Sequence, residues 1–428
     1  MKPMLGFLML GAAYAELEWR GLIHQSTDPA LQGLLKNEPF TVYCGFDPTA
    51  NSLTTAHLMQ LLRLRRMQMA GHIPIAVAGG GTGLIGDPSH RDLERPLLSK
   101  DEIESNVDNI KGQLARLLDF DPGPCQATLV NNADWLTELG LTDFLRDIGK
   151  HFSVNMMIAR DSIRARLEDR EQGITYTEFS YLLLQSYDYL WLYDNHGCRL
   201  QLGGSDQWGN ITAGVDLIRR ARGAKAYGLS SPLILRADGK KMSKSEGGAV
   251  WLDPAQTSPY QFYQYWFNTP DANVGDFLRF FTFLTKDRID ELTSTDPASR
   301  DSQRALAFEV TALLHGEGEA HKAIAASKAL FGAEIRDLDE ATLLDVMAEA
   351  PTTVVPALTD LVDVLVVTGL ASSRGEARTH IQGGGIYLNN TRQTDVDRVV
   401  GPDDLLSGKY FVLRRGKKTY HLVSVAPS

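Results

Sequence analysis

A lysine-rich segment carries the residues whose types point most directly to chemistry. Lys240, Lys241 and Lys244 lie close to Ser243 and Ser245, with glycines on both sides of the segment. Three cationic side chains on a glycine-flanked loop can approach a polyphosphate whose negative charge grows in a transition state. A solvated basic loop has the same composition, so this segment has to be weighed together with the other motifs.

A second set of polar residues shares one face of an expected helix. Tyr181, Gln185 and Asp188 are spaced i, i+4 and i+7, which places a hydroxyl, an amide and a carboxylate on the same face. The leucines at 182–184 indicate that this helix is buried, and buried polar groups need hydrogen-bond partners. Those partners are either other core side chains or a small ligand with polar and aromatic parts.

Two glycine-rich turns follow strand-like runs. The first, Gly79–Pro88, formally contains the GxGxxG pattern of dinucleotide sites, but its final Asp-Pro pair prevents a helix from opening where that fingerprint requires one. We interpret this turn as a close approach of the backbone to a ligand, with Asp87 at a strand end. The second turn, Gly203–Asn210, presents Asp206 and Gln207 in the same way.

The elements that must position these residues alternate between strands and helices in the first half of the chain. We expect strands at Thr41–Phe46, Ile73–Ala78, Gln126–Val130 and Arg199–Leu202, and a helix over Ser52–Gln68. Strands that alternate with helices predict a parallel sheet, whose ligands bind beyond the carboxyl ends of the strands. Most of the motifs fall at those ends.

Composition limits the class of protein. The chain has 428 residues, 43% of them apolar, with a net charge of −10, which excludes a disordered chain and a uniformly basic nucleic-acid coat. Its three cysteines are dispersed and favour a reducing compartment. The apolar run Met4–Ala13 resembles a short secretory signal, which is the alternative to a cytoplasmic location. We expect no membrane span.

Five stretches together carry a family resemblance: Tyr43–Thr49, Thr82–Pro88, Gly149–Asn155, Gly203–Thr212 and the pentad Lys241–Ser245. In this order they resemble the class I aminoacyl-tRNA synthetases, and specifically the bacterial tyrosyl-tRNA synthetase family, over nearly the whole chain. The resemblance implies ATP-dependent activation of L-tyrosine to tyrosyl-adenylate and transfer of the tyrosyl group to tRNA(Tyr). It also implies a cytoplasmic homodimer, with Mg²⁺ accompanying the ATP and no metal site on the protein.

The resemblance implies roles for individual residues. The residues implied for tyrosine binding are Tyr43, Asp87, Tyr181, Gln185, Asp188, Gln201 and Gln207. Tyr43 and Asp188 would bind the phenolic hydroxyl, whereas Asp87, Tyr181 and Gln185 would surround the ammonium group. The residues implied for ATP binding are Cys44, Gly45, Asp47, Asp206 and Lys244, and those implied for the catalytic step are Thr49, Thr54, His57, Lys241 and Lys244. The residues implied for tRNA binding are Arg91, Arg95, Arg374, Arg378, Arg414, Arg415, Lys417 and Lys418.

The fold expected is α/β: a Rossmann-like parallel-sheet catalytic domain, then an α-helical domain, then a small α+β RNA-binding domain. The expected boundaries are 1–235 for the catalytic domain, 236–255 for the lysine loop and its connection, 256–345 for a helical domain on the anticodon side of the tRNA, 346–356 for a linker and 357–428 for the RNA-binding domain. The last segment has nine Lys/Arg against seven Asp/Glu, although the chain as a whole is acidic. That asymmetry suits phosphate contacts.

One motif departs from the family pattern. Thr54-Thr55-Ala56-His57 stands where the family has its HIGH signature, so that only His57 and not the first histidine is retained. Thr54 has a shorter reach and no positive charge, and one lost transition-state contact costs ~3 kcal/mol, or about a hundredfold in rate. Three functions remain open: an active synthetase, an impaired paralogue that binds RNA or tyrosine in a regulatory role, and a synthetase-like enzyme with a related aromatic substrate or another nucleotide reaction.

Overall fold

The structure is a computed structural model that describes residues 10–87, 98–159, 163–164, 174–234, 249–331, 334–348, 350–356, 359–416 and 419–426. The chain divides into two compact units. The first unit comprises Met1–Thr257 and Thr269–Glu309, and the second comprises Ser258–Asn268 and Val310–Ser428.

Each unit has one sheet. The strands of the first unit are β1 (Gln25–Ser26), β2 (Thr41–Phe46), β3 (Ile73–Ala78), β4 (Thr128–Asn131), β5 (Cys198–Gly204) and β6 (Tyr227–Ser231). The strands of the second unit are β7 (Thr352–Val355), β8 (Ile386–Leu388), β9 (Thr391–Gln393), β10 (Tyr410–Arg415) and β11 (Thr419–Val425).

Helices account for most of the remaining described elements. The α-helices up to residue 222 are α1 (Ala13–Trp19), α2 (Leu31–Asn37), α3 (Thr55–Met69), α4 (Lys100–Leu117), α5 (Ala133–Leu136), α6 (Leu141–Asp143), α7 (Val154–Ile158), α8 (Tyr176–His196) and α9 (Trp208–Arg222). The later ones are α10 (Pro259–Phe267), α11 (Asp271–Phe281), α12 (Lys286–Thr293), α13 (Asp301–His315), α14 (Glu317–Phe331), α15 (Glu340–Val346), α16 (Leu361–Val367) and α17 (Arg374–Gln382).

The first sheet has the strand order β1-β6-β5-β2-β3-β4. All neighbours pair in parallel except β1, which runs antiparallel to β6 at the edge. The predicted parallel sheet is therefore confirmed, and β2 and β3 have the predicted bounds. The expected helix over Ser52–Gln68 starts later, at Thr55, because Thr54 has an extended backbone (φ −111°, ψ 173°) and forms the N-cap.

Helix α8 brings the predicted polar face against the sheet. Thr175 caps its first turn by accepting a hydrogen bond from the backbone N–H of Glu178 at 3.3 Å, and Gly197 ends it in a left-handed conformation (φ +61°). Tyr181 and Asp188 are both buried, at 4% exposure each. The helix therefore points two polar groups into the core, where they need partners.

In the second unit, the sheet order is β7-β11-β10-β8-β9. Strand β7 lies within 346–356, where the sequence predicted a linker, and pairs in parallel with β11. The β-branched run Thr352–Val355 favours a strand, which the flanking prolines at 351 and 356 obscured in the sequence. Residues 256–345, which the sequence grouped into one helical domain, divide between the two units.

Candidate active site

The first glycine-rich turn follows β3 and brings protein side chains together. A Cβ atom at Gly79 would collide with the carboxylate of Asp47, and one at Gly80 would collide with the amide of Asn131. The turn continues into a short 3₁₀ segment, Thr82–Leu84. No α-helix opens in the described part of this turn, so the arrangement of a dinucleotide fingerprint is not present there.

Asn132, which the sequence reasoning missed, is the centre of the hydrogen bonding below this turn. Its Oδ1 accepts the backbone N–H of Gly81 at 2.7 Å, and its Nδ2 donates to Thr82 Oγ1 at 2.9 Å and to Asp188 Oδ2 at 2.8 Å. Asn132 is 1% exposed, so these bonds replace water. One indication of this role was present in the sequence: Asn132 is a polar residue directly after β4, at the carboxyl end of that strand.

Asp188 is held by a second residue that the sequence reasoning missed. Trp135 Nε1 donates to Asp188 Oδ1 at 2.7 Å, and the ring of Trp135 stacks on Trp191 with centroids 4.0 Å apart. Burial raises the pKa of Asp188 to about 8, although the two donated hydrogen bonds oppose that shift. This carboxyl group therefore retains its proton near neutral pH in the ligand-free pocket.

Tyr43 and Gln201 each leave a buried polar atom available to a ligand. The hydroxyl of Tyr43 and Oε1 of Gln201 have no hydrogen-bond partner among the residues that the structure describes. Burial raises the pKa of Tyr43 well above its ordinary value, and the charge of the nearby Asp188 adds to the effect. Unpaired buried polar atoms are costly, so both atoms indicate a partner other than the described residues, such as a bound ligand.

Tyr181 is bonded to Asp47, a residue that the resemblance had assigned to ATP. Tyr181 Oη donates to Asp47 Oδ2 at 3.0 Å, and Thr82 Oγ1 donates to the other oxygen, Oδ1, also at 3.0 Å. Burial raises the pKa of Tyr181 well above 10, and the charges of Asp47, Asp87 and Asp188 raise it further. The carboxylates of Asp47 and Asp87 therefore make the pocket next to Tyr181 favourable for a cation.

The remaining pocket amides form a short chain that ends on Asp87. Gln207 Nε2 donates to Asp87 Oδ2 at 2.6 Å, and Asn210 Nδ2 is shared between Gln207 Oε1 at 3.2 Å and Gln185 Oε1 at 2.9 Å. Three predicted residues are thus connected through Asn210, which was not predicted. The sequence indicated Asn210 only through its position in the first turn of α9, about one helical turn after Gln207.

The altered signature forms the cap of α3. The backbone N–H of Thr54 donates to Nδ1 of His57 at 3.1 Å, and Thr54 Oγ1 lies 3.1 Å from the same nitrogen. Nδ1 is therefore an acceptor, which leaves the proton of the neutral ring on Nε2. Residues after the lysine loop pair with this corner, because Leu252 N–H donates to the carbonyl of Leu53 at 2.8 Å.

The other residues implied for ATP lie in contrasting environments. Cys44 is buried, and burial raises the pKa of its thiol to about 12, so it remains protonated. Gly45 is exposed, and an added Cβ there would meet no atom within 4 Å. Thr49 is exposed, and Asp206 lies in the 3₁₀ turn after β5. The surface over Gly45 is thus open enough for a flat group to lie against it.

The remaining predicted residues are those implied for tRNA binding and those of the lysine loop. Arg91, Arg95, Lys241, Lys244, Lys417 and Lys418 are outside the described residues. In the second unit, Arg374 pairs with Asp363 at 2.6 Å and Arg378 is exposed. Arg414 lies over the ring of Tyr387 at 3.8 Å, and Arg415 donates to the carbonyl of Leu370 at 2.7 Å.

Metal clusters and membrane-spanning helices are both absent from the part of the chain that the structure describes. Across those ranges, no group of three or more His, Cys, Asp or Glu side chains is arranged to hold a metal ion. Among the described helices, none combines the length and apolar character needed to cross a bilayer.

Family models match both parts of the chain. The model for "tRNA synthetases class I (W and Y)" matches residues 35–332, and the model for the "Tyrosine--tRNA ligase SYY-like C-terminal domain" matches residues 343–423.

Individual relatives extend over nearly the full length. A tyrosine–tRNA ligase of Roseiflexus castenholzii is 52% identical over 417 residues, which cover 95% of this chain and 98% of the relative. That of Geobacillus stearothermophilus is 49% identical over 422 residues, with 96% and 99% covered. A C-terminally truncated mitochondrial tyrosyl-tRNA synthetase of Aspergillus nidulans aligns with a TM-score of 0.67 at 30% identity, covering 74% of this chain and 94% of its own. The chain therefore belongs to the tyrosine–tRNA ligase family of class I tRNA synthetases.

Proposed function

We propose that the chain activates L-tyrosine with ATP, forming tyrosyl-adenylate and pyrophosphate, and then transfers the tyrosyl group to tRNA(Tyr). The observation that carries the proposal is the polarity of the pocket. One end has the hydroxyl of Tyr43, which no described residue pairs with, near Asp188, and the other has Asp47 and Asp87 next to Tyr181. A zwitterion with a phenol at its far end matches both ends at once.

The first step needs little proton chemistry from the protein. The carboxylate of tyrosine is already ionised, so its oxygen forms a bond to the α-phosphorus of ATP while the bond to the β-phosphate oxygen breaks. Pyrophosphate leaves with the electron pair of that bond, and catalysis consists of positioning and charge stabilisation. We assign the charge stabilisation to Lys241 and Lys244, with Thr49 at the terminal phosphate.

The rest of the nucleotide has its own residues in this proposal. Asp206 would bind the ribose, and Cys44 and Gly45 would lie along the nucleoside. His57 would donate from Nε2, since its Nδ1 accepts the backbone N–H of Thr54. Mg²⁺ would enter as the ATP complex, because it binds phosphate oxygens and retains most of its waters. In the second step, a terminal ribose hydroxyl of the tRNA attacks the carbonyl carbon of the adenylate, and AMP leaves.

The pocket also supports selection of tyrosine over phenylalanine. A buried site that hydrogen-bonds a substrate hydroxyl is left with unpaired polar groups when the hydroxyl is missing, a discrimination for which tyrosyl-tRNA synthetases are the standard example. Tyr43 and Asp188 are both buried, at 2% and 4% exposure. Phenylalanine would leave them without the partner that tyrosine supplies.

For tRNA binding we propose basic residues of the second unit, among them the exposed Arg374 and Arg378. Arg374 is 56% exposed, and one salt bridge does not use all five of its N–H groups. Arg414 and Arg415 already form contacts within the unit, so we assign them a smaller part of the contacts to tRNA. Arg91, Arg95, Lys417 and Lys418 complete the proposed tRNA set on the basis of the family resemblance.

We further propose a cytoplasmic homodimer. Several large apolar side chains between residues 141 and 176 are exposed, including Leu141 at 72%, Val154 at 57% and Tyr176 at 73%. Exposed apolar groups concentrated in one part of a chain favour an interface. Analytical ultracentrifugation tests this, since a single species of 47.2 kDa at micromolar concentration would contradict a dimer.

Tyrosine-dependent ATP–pyrophosphate exchange tests the central claim. We expect exchange that requires tyrosine and is not supported by phenylalanine, followed by tyrosylation of tRNA(Tyr). Binding of tRNA with no exchange would identify an impaired paralogue instead. Exchange that requires a different aromatic compound would identify the related enzyme with another substrate.

A further inference from the structure

A continuous chain of hydrogen bonds joins the two ends of the amino-acid pocket. Asp188 accepts from Asn132, which also donates to Thr82 Oγ1, and Thr82 in turn donates to Asp47, which accepts from Tyr181 as well. The four heavy-atom distances are 2.8, 2.9, 3.0 and 3.0 Å. Thr82, at 2% exposure, is the middle member.

The direction of each bond in this chain is fixed by its neighbours. Oδ1 of Asn132 is occupied by the backbone N–H of Gly81 at 2.7 Å, so the NH₂ group of Asn132 must face Thr82 and Asp188. Because that NH₂ donates to the hydroxyl oxygen of Thr82, the hydroxyl proton of Thr82 points to Asp47. An ionised carboxylate only accepts, so Asp47 suits the end of such a chain.

The turn is built around the contact between Thr82 and Asp47. A Cβ atom at Gly79 would lie 2.7 Å from Thr82 Oγ1 and would also collide with the carboxylate of Asp47. Any side chain at position 79 would therefore separate the two groups. Glycine at position 79 thus leaves the space in which Thr82 and Asp47 form their hydrogen bond.

We propose that Thr82 is a positioning residue that couples the two ends of the tyrosine pocket through its hydroxyl group. This inference rests on the proposed function and deepens it, because it names a residue on which the orientation of both Asp47 and Asp188 depends. Without the hydroxyl, Asn132 and Asp47 each lose the hydrogen bond that they form with Thr82. Both groups are then able to turn away from the geometry that binds tyrosine.

The test compares Thr82→Val, which removes the hydroxyl and keeps the shape, with Thr82→Ser, which keeps the hydroxyl. Tyrosine binding is measured by titration calorimetry without ATP, and the KM for ATP is measured by pyrophosphate exchange. We expect Thr82→Val to raise the dissociation constant for tyrosine about tenfold, the usual cost of an unpaired buried polar group. The KM for ATP stays unchanged. The unfolding temperature falls by a few degrees, because Asn132 and Asp47 each lose a buried hydrogen bond in the ligand-free chain as well. Thr82→Ser matches the original chain in both tyrosine binding and unfolding temperature.

Several outcomes would overturn the inference. Thr82→Val could bind tyrosine as tightly as the original chain, or Thr82→Ser could be as weak as Thr82→Val. Parallel losses of tyrosine affinity and ATP affinity would show a merely structural role. If Thr82→Val does not fold, Thr82→Cys replaces it, because a thiol is a weak donor; binding equal to that of Thr82→Ser then contradicts the inference. If the original chain binds no tyrosine, it is the proposed function that fails.

Discussion

Three carboxylates lie close to Tyr181, and their surroundings give them different properties. Asp47 accepts two hydroxyl donors, whereas Asp188 is buried deeply enough that its pKa rises to about 8. A buried acid that keeps its proton can exchange hydrogen bonds with a phenol, and an ionised carboxylate attracts an ammonium group. Two acids of the same type can thus recognise opposite ends of one zwitterion.

The indole of Trp135 offers a direct test of how Asp188 is held. Trp135→Phe removes the donor at 2.7 Å from Asp188 and retains an aromatic ring against Trp191. We expect the dissociation constant for tyrosine to rise about tenfold, since one hydrogen bond to a carboxyl group in the pocket is lost. The affinity for phenylalanine should change less, because phenylalanine has no hydroxyl to meet Asp188; calorimetry with both ligands measures the difference.

The matched control is Trp191→Phe, which alters the same aromatic stack and leaves the N–H of Trp135 in place. It should bind tyrosine like the original chain. Equal weakening of tyrosine and phenylalanine binding in Trp135→Phe would contradict a role through Asp188.

The raised pKa of Asp188 also predicts how stability depends on pH. The folded chain keeps a proton on Asp188 between about pH 4 and pH 8, which the unfolded chain releases. Because the folded state binds more protons there, this group makes the free energy of unfolding fall as pH rises through that range. Unfolding temperatures at pH 5 and pH 8 should differ more for the original chain than for Asp188→Asn. An identical pH dependence in both would contradict the shift.

Among the elements, the strands were the easiest to predict, whereas the order in which they pair in the sheet was the hardest. Thr41–Phe46 and Ile73–Ala78 have the predicted bounds because β-branched and apolar residues fill them and turn residues bound them. Asn132 and Trp135 were missed because they act on Asp188, more than fifty residues away. Such contacts depend on strand order, which the sequence pattern does not specify; β4 next to β3 brings them to the pocket.

At the start of α3, a residue that suits helix capping stands where the family signature has its first histidine. Threonine is a preferred N-cap residue, and here its backbone N–H is satisfied by the ring of His57, three residues later. A histidine at position 54 would restore a cationic donor near the phosphates but would be a poorer cap. Stability and rate are therefore expected to change in opposite directions at this helix end.

The double variant Thr54→His with Ala56→Gly measures both changes, in the exchange rate and in the free energy of unfolding. Pyrophosphate exchange should accelerate, by up to about a hundredfold if the histidine recovers one full transition-state contact. The free energy of unfolding should fall by about 2 kcal/mol, from the weaker cap and from glycine inside a helix. Thr54→Ser, which keeps the cap, should change neither quantity. No acceleration in the double variant would mean that this chain has already compensated for the lost histidine.

At the scale of the whole molecule, the second unit has hydrophobic clusters of its own. The second unit includes a cluster of Ile335, Leu343 and Met347 from before the predicted linker, packed with Leu406, Val412 and Leu422. Its other cluster contains Leu361, Phe411 and Val423. The sheet of this unit is therefore covered by residues on both sides of position 356, the end of the linker predicted from sequence.

This packing predicts which C-terminal fragment folds. Fragment 334–428 retains both clusters and β7, whereas fragment 357–428 loses β7 and the cover of Ile335, Leu343 and Met347. Burying one such side chain contributes about 1.5–3 kcal/mol, so losing three removes roughly as much as a small domain's whole stability. Loss of β7 also exposes an edge of β11, which promotes association.

Urea unfolding followed by circular dichroism should be cooperative for 334–428, and 357–428 should be unfolded or aggregated. If the shorter fragment is equally stable, the sheet needs no cover from residues before 357, and the boundary predicted from sequence is the physical one.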